Sequence, residues 1–563
     1  NLLYTGGLTV YATQDPRVQG IVDYEVNNWD NYPGDTTLAI SWDLTVDHAD
    51  GTTEYLNQRD ITRFKEDVLQ EYNYYNNNLE KWEYKHNYYS QDEANYVIQQ
   101  FKDYYIQPSD TITYENVVYT LQPQVSFTVM DYTNGQVLAI CGGRGDKTTN
   151  LSLNRAKDTT RQPGSCFKVL SAYAPALDAA GYTLATAIDD SPFHYGGNVN
   201  RDVRNWWGDS YRGLSTVRDG IRDSMNVLAV KTLYDITPYL GIQYLQNFGF
   251  TTIDPQNDEH VATALGGITN GITNLEITAA YSAIANKGTY VEPVLYTKIV
   301  AMDGTTILDN TPATHTVLKE STSSLLTSAM IDVVNSGTGT PCQLWNAQAA
   351  GKTGTTTDDK DLWFCGFVPN GIAASIWTGY DDNLSITMGT SYHEYMWSTI
   401  MNQVLTALGR EGGAFEMTGG IVQAGICKKS GKLPVGGLCD GDPGGSMIIT
   451  EYFADGTVPG GYCDVHTSCT VCSESHLLPT DYCPKTTSLV CRTRPMDVTG
   501  GEAKGFTDDS NYAPPGDKCN IHTAEWEAKS KEEASKAEDE KTATQPEEEP
   551  TETPAEDEGD EDS

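Results

Sequence analysis

Two short runs on either side of an Asn-Gly pair constrain this chain most. Val125-Ser126-Phe127-Thr128-Val129 alternates apolar and polar side chains, and Val137-Leu138-Ala139-Ile140 follows directly after Thr133-Asn134-Gly135-Gln136. Alternation places successive side chains on opposite faces of a strand. Asn-Gly suits a two-residue type I′ turn, whose central residues both need positive φ. A hairpin, and with it a sheet, is therefore expected to begin near residue 124. Apolar spacing predicts helices over 165–180, 216–234 and 275–286, and strand-like runs return at 362–368 and 372–380. Helices thus fall between strands brought together from distant sequence, an α/β (α+β) arrangement.

The flanks read differently. Gly-Leu-Thr-Val-Tyr-Ala-Thr at 7–13 alternates like a strand, and Asp15-Pro16 opens a short helical pattern through Val18, Ile21 and Val22. From Ile61 to Tyr105 the chain is polar and tyrosine-rich, with Phe64, Val68, Leu69, Tyr72, Val97, Phe101 and Tyr105 at helical spacing, so residues 1–122 are expected to form a linker region with a helical insertion. Residues 123–411 would hold the sheet, 412–495 a Gly/Cys-rich module, and 496–563 an acidic tail. Between Thr523 and Ser563 stand 17 acidic and 4 basic residues, a composition that predicts disorder. The formal charge of the chain is −40, which excludes nucleic acid as a natural ligand because a phosphate backbone would be repelled. No apolar run approaches the roughly 20 residues that span a bilayer, so the chain is expected to be soluble. It starts at Asn1 rather than methionine and is read as a piece of a longer protein.

Three short motifs carry chemistry. Ser165-Cys166-Phe167-Lys168 follows a Pro-Gly at a helix start, and three residues apart on a helix means one face. A serine hydroxyl is a poor nucleophile until a neighbour takes its proton, and a lysine can do so only when burial or nearby cations lower its pKa. Ser224-Met225-Asn226 and Lys352-Thr353-Gly354-Thr355 follow in that order. Taken singly, each has a bland reading as a cap, a turn or a solvated lysine. S-x-x-K, S-x-N and K-T-G together form the set shared by penicillin-binding proteins and class A β-lactamases.

On these motifs the chain resembles the transpeptidase portion of a class A (bifunctional) penicillin-binding protein. Gly6-Gly7-Leu8-Thr9-Val10-Tyr11, the stretch from Leu265 to Tyr281, Asp361-Leu362-Trp363-Phe364-Cys365-Gly366-Phe367 and Phe453-Ala454-Asp455-Gly456-Thr457-Val458-Pro459 are similar to that family as well. The resemblance leaves out the tyrosine-rich lobe. It implies a penicillin-binding transpeptidase or serine β-lactamase-like fold, an antiparallel sheet flanked by helices. It further implies that Ser165 attacks the D-alanyl-D-alanine carbonyl of a peptidoglycan stem peptide, with Lys168 as proton acceptor. Ser224 would relay the proton, Asn226 fix the substrate and lysine, and Lys352 supply positive charge. Thr353 and Thr355 would bind the substrate carboxylate, Gly354 would leave room for the peptide, and the N–H groups of Ser165 and Thr355 would form the oxyanion hole. β-Lactams would acylate the same serine. The scheme uses no metal and no organic cofactor. An upstream glycosyltransferase domain and membrane anchor, and a place at the bacterial cell surface outside the cytoplasm, are also implied.

Other readings remain beside it. A class A β-lactamase needs a glutamate in an E-x-x-x-N loop to activate water, and the Ser224 to Lys352 interval has none. Glu276 instead lies in a helix that resembles the transferases. A D,D-carboxypeptidase differs only in whether water or an amine arrives second, and a non-catalytic wall-binding or β-lactam-sensing protein could keep the same pocket. Asp358-Asp359-Lys360-Asp361 reads as a solvated loop rather than a metal cluster. Trp206-Trp207 could line the cleft or simply pack, and Cys166 is expected to be a small buried apolar group. Eight of the twelve cysteines, Cys427, Cys439, Cys463, Cys469, Cys472, Cys483, Cys491 and Cys519, crowd the last quarter. They read first as a disulfide-stapled module, with a zinc site at Cys463, His466, Cys469 and Cys472 as the rival. The nine histidines are otherwise assigned surface or core roles.

Overall fold

The computed structural model describes residues 5–76, 79–147, 150–196, 199–493 and 507–542. Its centre is a five-stranded antiparallel sheet in the order Ala350–Thr355, Asp361–Phe367, Ile372–Gly379, Gln124–Asp131, Gln136–Cys141. Each residue of the three middle strands is buried. Alternation explains how: Trp363, Cys365, Phe367, Ala373 and Trp377 enter one apolar cluster, and Leu362, Phe364, Ile372, Ala374 and Ile376 enter another. The first cluster is completed by the helix Asn274–Ala285 through Ile277, Ala280 and Tyr281, the second by Tyr392–Leu408 and Pro16–Asn27 through Trp397, Ile400 and Val22. A sheet covered by helices on both faces has no solvated side.

That double cover corrects the reading of Val125–Val129. Ser126 and Thr128, the polar half of the alternation, are as buried as their apolar neighbours, because the helix Asn274–Ala285 packs on this strand, its Asn274 side chain donating to the Ser126 and Ser375 carbonyls at 3.3 and 3.1 Å. The hairpin forms where expected, but its turn differs. Asp131 pairs with Gln136, so four residues close the loop and of the Asn-Gly pair only Gly135 has positive φ (78°). The helix expected over 216–234 is two helices, Val217–Arg222 and Asn226–Ile236, and the one over 165–180 is a succession of a tight turn, an i→i+5 helix and the α-helix Ala174–Asp178.

The tyrosine-rich lobe is more than helices. The long strands Thr37–Asp47 and Thr111–Gln122 pair along their length, with Thr53–Asn57 on the other side, and the helix Gln91–Tyr105 buries Val97, Ile98 and Phe101 against Trp42 and Leu44. These strands carry many polar residues on their exposed face, and apolar periodicity alone did not mark them.

Two compact units divide the chain. The first comprises Asn1–Val435, Met447–Cys463 and Pro495–Asn511; the second comprises Gly436–Ser446, Asp464–Arg494 and Tyr512–Ser563. The first unit runs past residue 411 because the strands Ile421–Cys427 and Ile448–Ala454 pair and pack Ile426 and Phe453 on Ala185. In the second unit the hairpin His466–Cys472 with Thr486–Arg492 is fixed by Asp442, which accepts from His466 Nε2 at 2.8 Å and from both Nε and a terminal nitrogen of Arg492.

Two expectations for the C-terminal region change. Among the described residues no cysteine is joined in a disulfide, and even the close pair Cys427 and Cys463 keep their sulfurs 3.6 Å apart, beyond the length of an S–S bond. The disulfide framework is therefore not what these residues build. Disorder from Thr523 onward does not hold for Ala524–Thr542, which form a helix with Lys531–Glu527 and Lys536–Glu532 pairs one turn apart. The remainder of the acidic tail lies outside the described residues. Among the described residues no helix is long and apolar enough to cross a membrane.

Candidate active site

The site begins at a place where three backbones meet. Gly164 opens the turn Gly164–Cys166 with φ of 54°, and a Cβ there would lie 2.6 Å from the Thr355 carbonyl oxygen. Gly266 (φ 80°) abuts Gly164 in turn, where a Cβ would lie 2.5 Å from the Gly164 nitrogen. Only glycine satisfies both the left-handed backbone and the lack of space. Ser165 is thereby pressed against the end of the Ala350–Thr355 strand, half-buried on the wall of a cleft of about 720 Å³. Ser224, Asn226, Thr353 and Thr355 line the same cleft.

Immediately after this turn the helix widens to i→i+5 bonding over Lys168–Tyr173, a local form that recurs at functional sites. Lys168 is fully buried. Its Nζ donates to the Ser224 carbonyl at 2.6 Å, to Ser224 Oγ at 3.1 Å and to Asn226 Oδ1 at 2.5 Å. Burial, and next the nearby charge of Lys352, hold this amine well below the ordinary lysine range.

Ser224 sits at the break between the two helices with φ of 53°, a left-handed conformation that costs a non-glycine residue about 1–3 kcal/mol. Its neighbours hold it there: Met225 N–H donates to the Gly220 carbonyl at 3.0 Å, and the Asp223 carboxylate is gripped by Arg222 and Arg212 at 2.7 and 2.5 Å. On the far side of the break, Asn226 donates from Nδ2 to the Arg204 carbonyl at 2.6 Å, which orients Oδ1 toward Lys168.

Lys352 approaches the same hydroxyl from the sheet. It is fully buried, and its Nζ donates to Ser224 Oγ at 2.8 Å and to the Thr353 carbonyl at 3.1 Å. Burial lowers its pKa to about 8. Gly354 is needed, but not for the reason expected. A Cβ there would lie 2.6 Å from the Pro163 carbonyl oxygen and 2.8 Å from Cys166 Sγ, so the space is taken by the serine turn and not by a peptide. Cys166 is buried as expected, with Sγ 3.4 Å from the Lys352 carbonyl.

Three contributors carry no sequence motif. Thr338 Oγ1 lies 2.7 Å from Thr353 Oγ1. Asn205 Oδ1 accepts from the N–H groups of Asn226 and Val227 at 2.9 and 3.3 Å, capping that helix from 21 residues upstream. Glu394 lines the cleft, and burial raises its carboxyl to about 8. Asn205 and Glu394 belong to a loop and a helix whose local patterns look ordinary, so only the folded chain reveals them.

Other expectations are revised by contact. The Asp358–Asp361 segment is not a solvated loop throughout. Lys360 and Asp361 are buried, and Asp361 pairs with Arg161 at 2.7 Å and accepts from Trp377 Nε1 at 2.9 Å. Trp206 lines the cleft while Trp207 stacks under Arg212. Glu276 closes a capping box with Thr273 and accepts from Thr251.

Comparison with known proteins agrees with this geometry. A family model of the penicillin-binding protein transpeptidase domain matches residues 125–386, and one of the penicillin-binding protein 1A C-terminal domain matches residues 417–468. Penicillin-binding protein 1A of Clostridium botulinum (strain Langeland) is 36% identical over 358 residues, 62% of this chain and 42% of that protein. Penicillin-binding protein 1A/1B of Bacillus subtilis is 30% identical over 361 residues, 61% of this chain and 38% of that protein. The chain thus spans less than half the length of these relatives. The crystal structure of penicillin-binding protein 1A from Haemophilus influenzae shares the fold with a TM-score of 0.56 at 19% identity, covering 82% of this chain and 74% of that one. With the helix-covered antiparallel sheet and the three motifs around one cleft, these matches show that residues 125–386 carry the penicillin-binding protein transpeptidase domain, followed over residues 417–468 by the penicillin-binding protein 1A C-terminal domain.

Proposed function

We propose that this chain is a D,D-transpeptidase that cross-links peptidoglycan stem peptides through an acyl-enzyme on Ser165. One observation carries the reading: Lys168 and Lys352 are both buried and both hydrogen-bond Ser224 Oγ, in a cleft that Ser165 also lines. Ser165 Oγ attacks the carbonyl between the terminal D-alanines, and its proton passes to the neutral Lys168 amine. Ser224 then delivers a proton to the leaving nitrogen, and free D-alanine departs. The backbone N–H groups of Ser165 and Thr355, on abutting segments, receive the oxyanion charge. Lys352, Thr353 and Thr355 hold the terminal carboxylate of the donor. An amine from a second stem peptide attacks the ester, forms the cross-link and regenerates the serine.

The strained amide of a β-lactam fits the same first step, leaving a covalent adduct. Peptidoglycan as substrate implies work outside the cytoplasm, with a glycosyltransferase domain and membrane anchor supplied by a longer parent chain.

The test is exposure of the protein to a fluorescent penicillin followed by peptide mass spectrometry. The expected result is one persistent adduct on Ser165, absent from Ser165→Ala. Labelling of Ser165→Ala equal to the parent would overturn the assignment. With stem-peptide donor and an amine acceptor both present, release of D-alanine with water as the sole acceptor would replace the transpeptidase by a carboxypeptidase.

A further inference from the structure

The second unit has almost no apolar core. None of the four apolar clusters among the described residues draws a residue from it. Small units of this kind usually need a covalent or metal staple to stay folded, and among the described residues of this one no disulfide supplies it.

Within this unit, Cys472, Cys483, Cys519 and His522 place their ligand atoms within 4.8 Å of one another. Three separate chain segments bring them there. Cys472 ends the strand His466–Cys472, and its N–H donates to the Leu477 carbonyl at 2.9 Å. Cys483 closes a turn in which its N–H donates to the Thr480 carbonyl at 3.1 Å. Cys519 and His522 arrive on a third segment, tied to the second where Cys519 N–H donates to the Leu478 carbonyl at 2.8 Å and Thr480 Oγ1 donates to the His522 carbonyl at 2.8 Å.

The side chains converge on one point. His522 Nδ1 lies 3.2 Å from Cys472 Sγ and 3.4 Å from Cys519 Sγ. A tetrahedral zinc with Zn–S of about 2.3 Å sets neighbouring ligand atoms roughly 3.5–3.8 Å apart, the scale seen here. The sulfurs already accept backbone N–H groups, Cys519 Sγ from His522 and Cys483 Sγ from Thr480, each at 3.3 Å, as thiolates do. On the other edge of the ring, His522 Nε2 lies 3.4 Å from the Glu474 carboxylate, the position of the outer partner that a ligating imidazole commonly has. Cys472, Cys519 and His522 are buried, and Trp526 packs edge-on to the His522 ring at 4.5 Å. Three thiols cannot pair off into disulfides without leaving one over, whereas three thiolates and an imidazole complete one zinc shell.

We propose that Cys472, Cys483, Cys519 and His522 hold one structural zinc ion as a closed Cys₃His site that stabilises the second unit. Binding exchanges thiol protons for the cation and moves no electrons. Four protein ligands leave no open position, so the site is structural and takes no part in acyl transfer. The grouping also differs from the Cys463, His466, Cys469, Cys472 set that linear spacing suggests, since only Cys472 belongs to both. His522, assigned with the other histidines to a surface or core role on sequence alone, supplies the nitrogen.

The test uses the full chain purified under reducing conditions with zinc, alkylated with iodoacetamide before and after a chelator, and read residue by residue by mass spectrometry. Cys472, Cys483 and Cys519 are expected to be protected and then to react at least ~10-fold faster once zinc is stripped, while Cys141 in the central sheet stays unreactive in both. Elemental analysis of the Cys483→Ser, Cys519→Ser double variant should find one zinc fewer per chain than the parent, and Cys469→Ser should match the parent. Equal reactivity with and without chelator, recovery of these cysteines as disulfides, or unchanged zinc content in the double variant would each overturn the proposal.

Discussion

Lys168 and Lys352 reach the same oxygen, Ser224 Oγ, one from a helix and one from a strand, at 3.1 and 2.8 Å. Two ammonium groups sharing one buried hydroxyl repel each other, and the conflict is relieved when one of them is neutral. Lys168 is the amine pushed further, since it feels both burial and the charge of Lys352. A less basic Lys168 and a more basic Lys352, one hydroxyl apart, match the division of labour that the proposed acyl transfer needs.

Replacing Lys168 by methionine, which fills similar volume without a base, should therefore slow acylation by a fluorescent penicillin by about 10²–10⁴-fold. Lys168→Arg should not rescue it, because a guanidinium stays protonated. The second-order labelling rate measures both, and a rate within threefold of the parent for Lys168→Met would remove Lys168 from the chemistry.

The pH profile follows from Lys352. Its buried amine, at about 8 against an ordinary 10.5, loses its positive charge as pH rises through about 8, so the labelling rate should fall there. Stability responds with the opposite sign. Between about pH 8 and 10.5 the unfolded chain binds more protons at this residue than the folded chain, so its contribution rises with pH over that window and is least favourable below it. Rate and urea midpoint measured from pH 6 to 10 separate the two, and Lys352→Arg should move the alkaline limb upward.

Gly354 faces the Pro163 carbonyl and Cys166 Sγ at distances no Cβ can occupy. Gly354→Ala should lower stability by about 1–3 kcal/mol through overpacking and slow labelling at least tenfold by pushing the serine turn off the strand. Gly425→Ala, where nothing lies within 4 Å of the added carbon, should leave both unchanged. Thermal unfolding and labelling of the pair provide the check.

Asn205 caps the helix that begins at Asn226. Asn205→Ala should cost about 1 kcal/mol, as lost caps do, and should also reduce labelling because Asn226 is no longer fixed against Lys168. Loss of stability with an unaltered labelling rate would show the cap to be structural alone.

Arg218 joins Asp332 and Glu451, with both Glu451 oxygens bonded at 2.6 and 2.7 Å and the carboxylate almost fully buried. Glu451→Ala leaves the largely buried Arg218 guanidinium with Asp332 as its remaining carboxylate partner and should destabilise the first unit by about 1–3 kcal/mol. Chemical denaturation followed by tryptophan fluorescence reads the change.

Serine, lysine and asparagine at fixed spacings, and the hairpin near residue 124, could be read from the chain because each rests on local chemistry: a motif, a period or a turn residue. The break at Ser224 could not, since apolar spacing continues through it and only the Asp223 ion pairs and the Gly220 carbonyl force the left-handed turn. Asn205, Thr338 and Glu394 enter the site from far along the sequence, and no local pattern marks a residue whose importance is a single distant contact.

The amino-acid order alone determined which side chains are available for acyl transfer and that they lie in an α/β scaffold, because nucleophile, base and strand motif are each encoded within four residues. Tertiary structure decided their protonation and their company. Burial, and for Lys168 the neighbouring Lys352, set the amines below their ordinary range, and the convergence of three segments gathers three cysteines and His522 into a ligand set. Both depend on desolvation and on contacts between distant residues, quantities that exist only once the chain has folded.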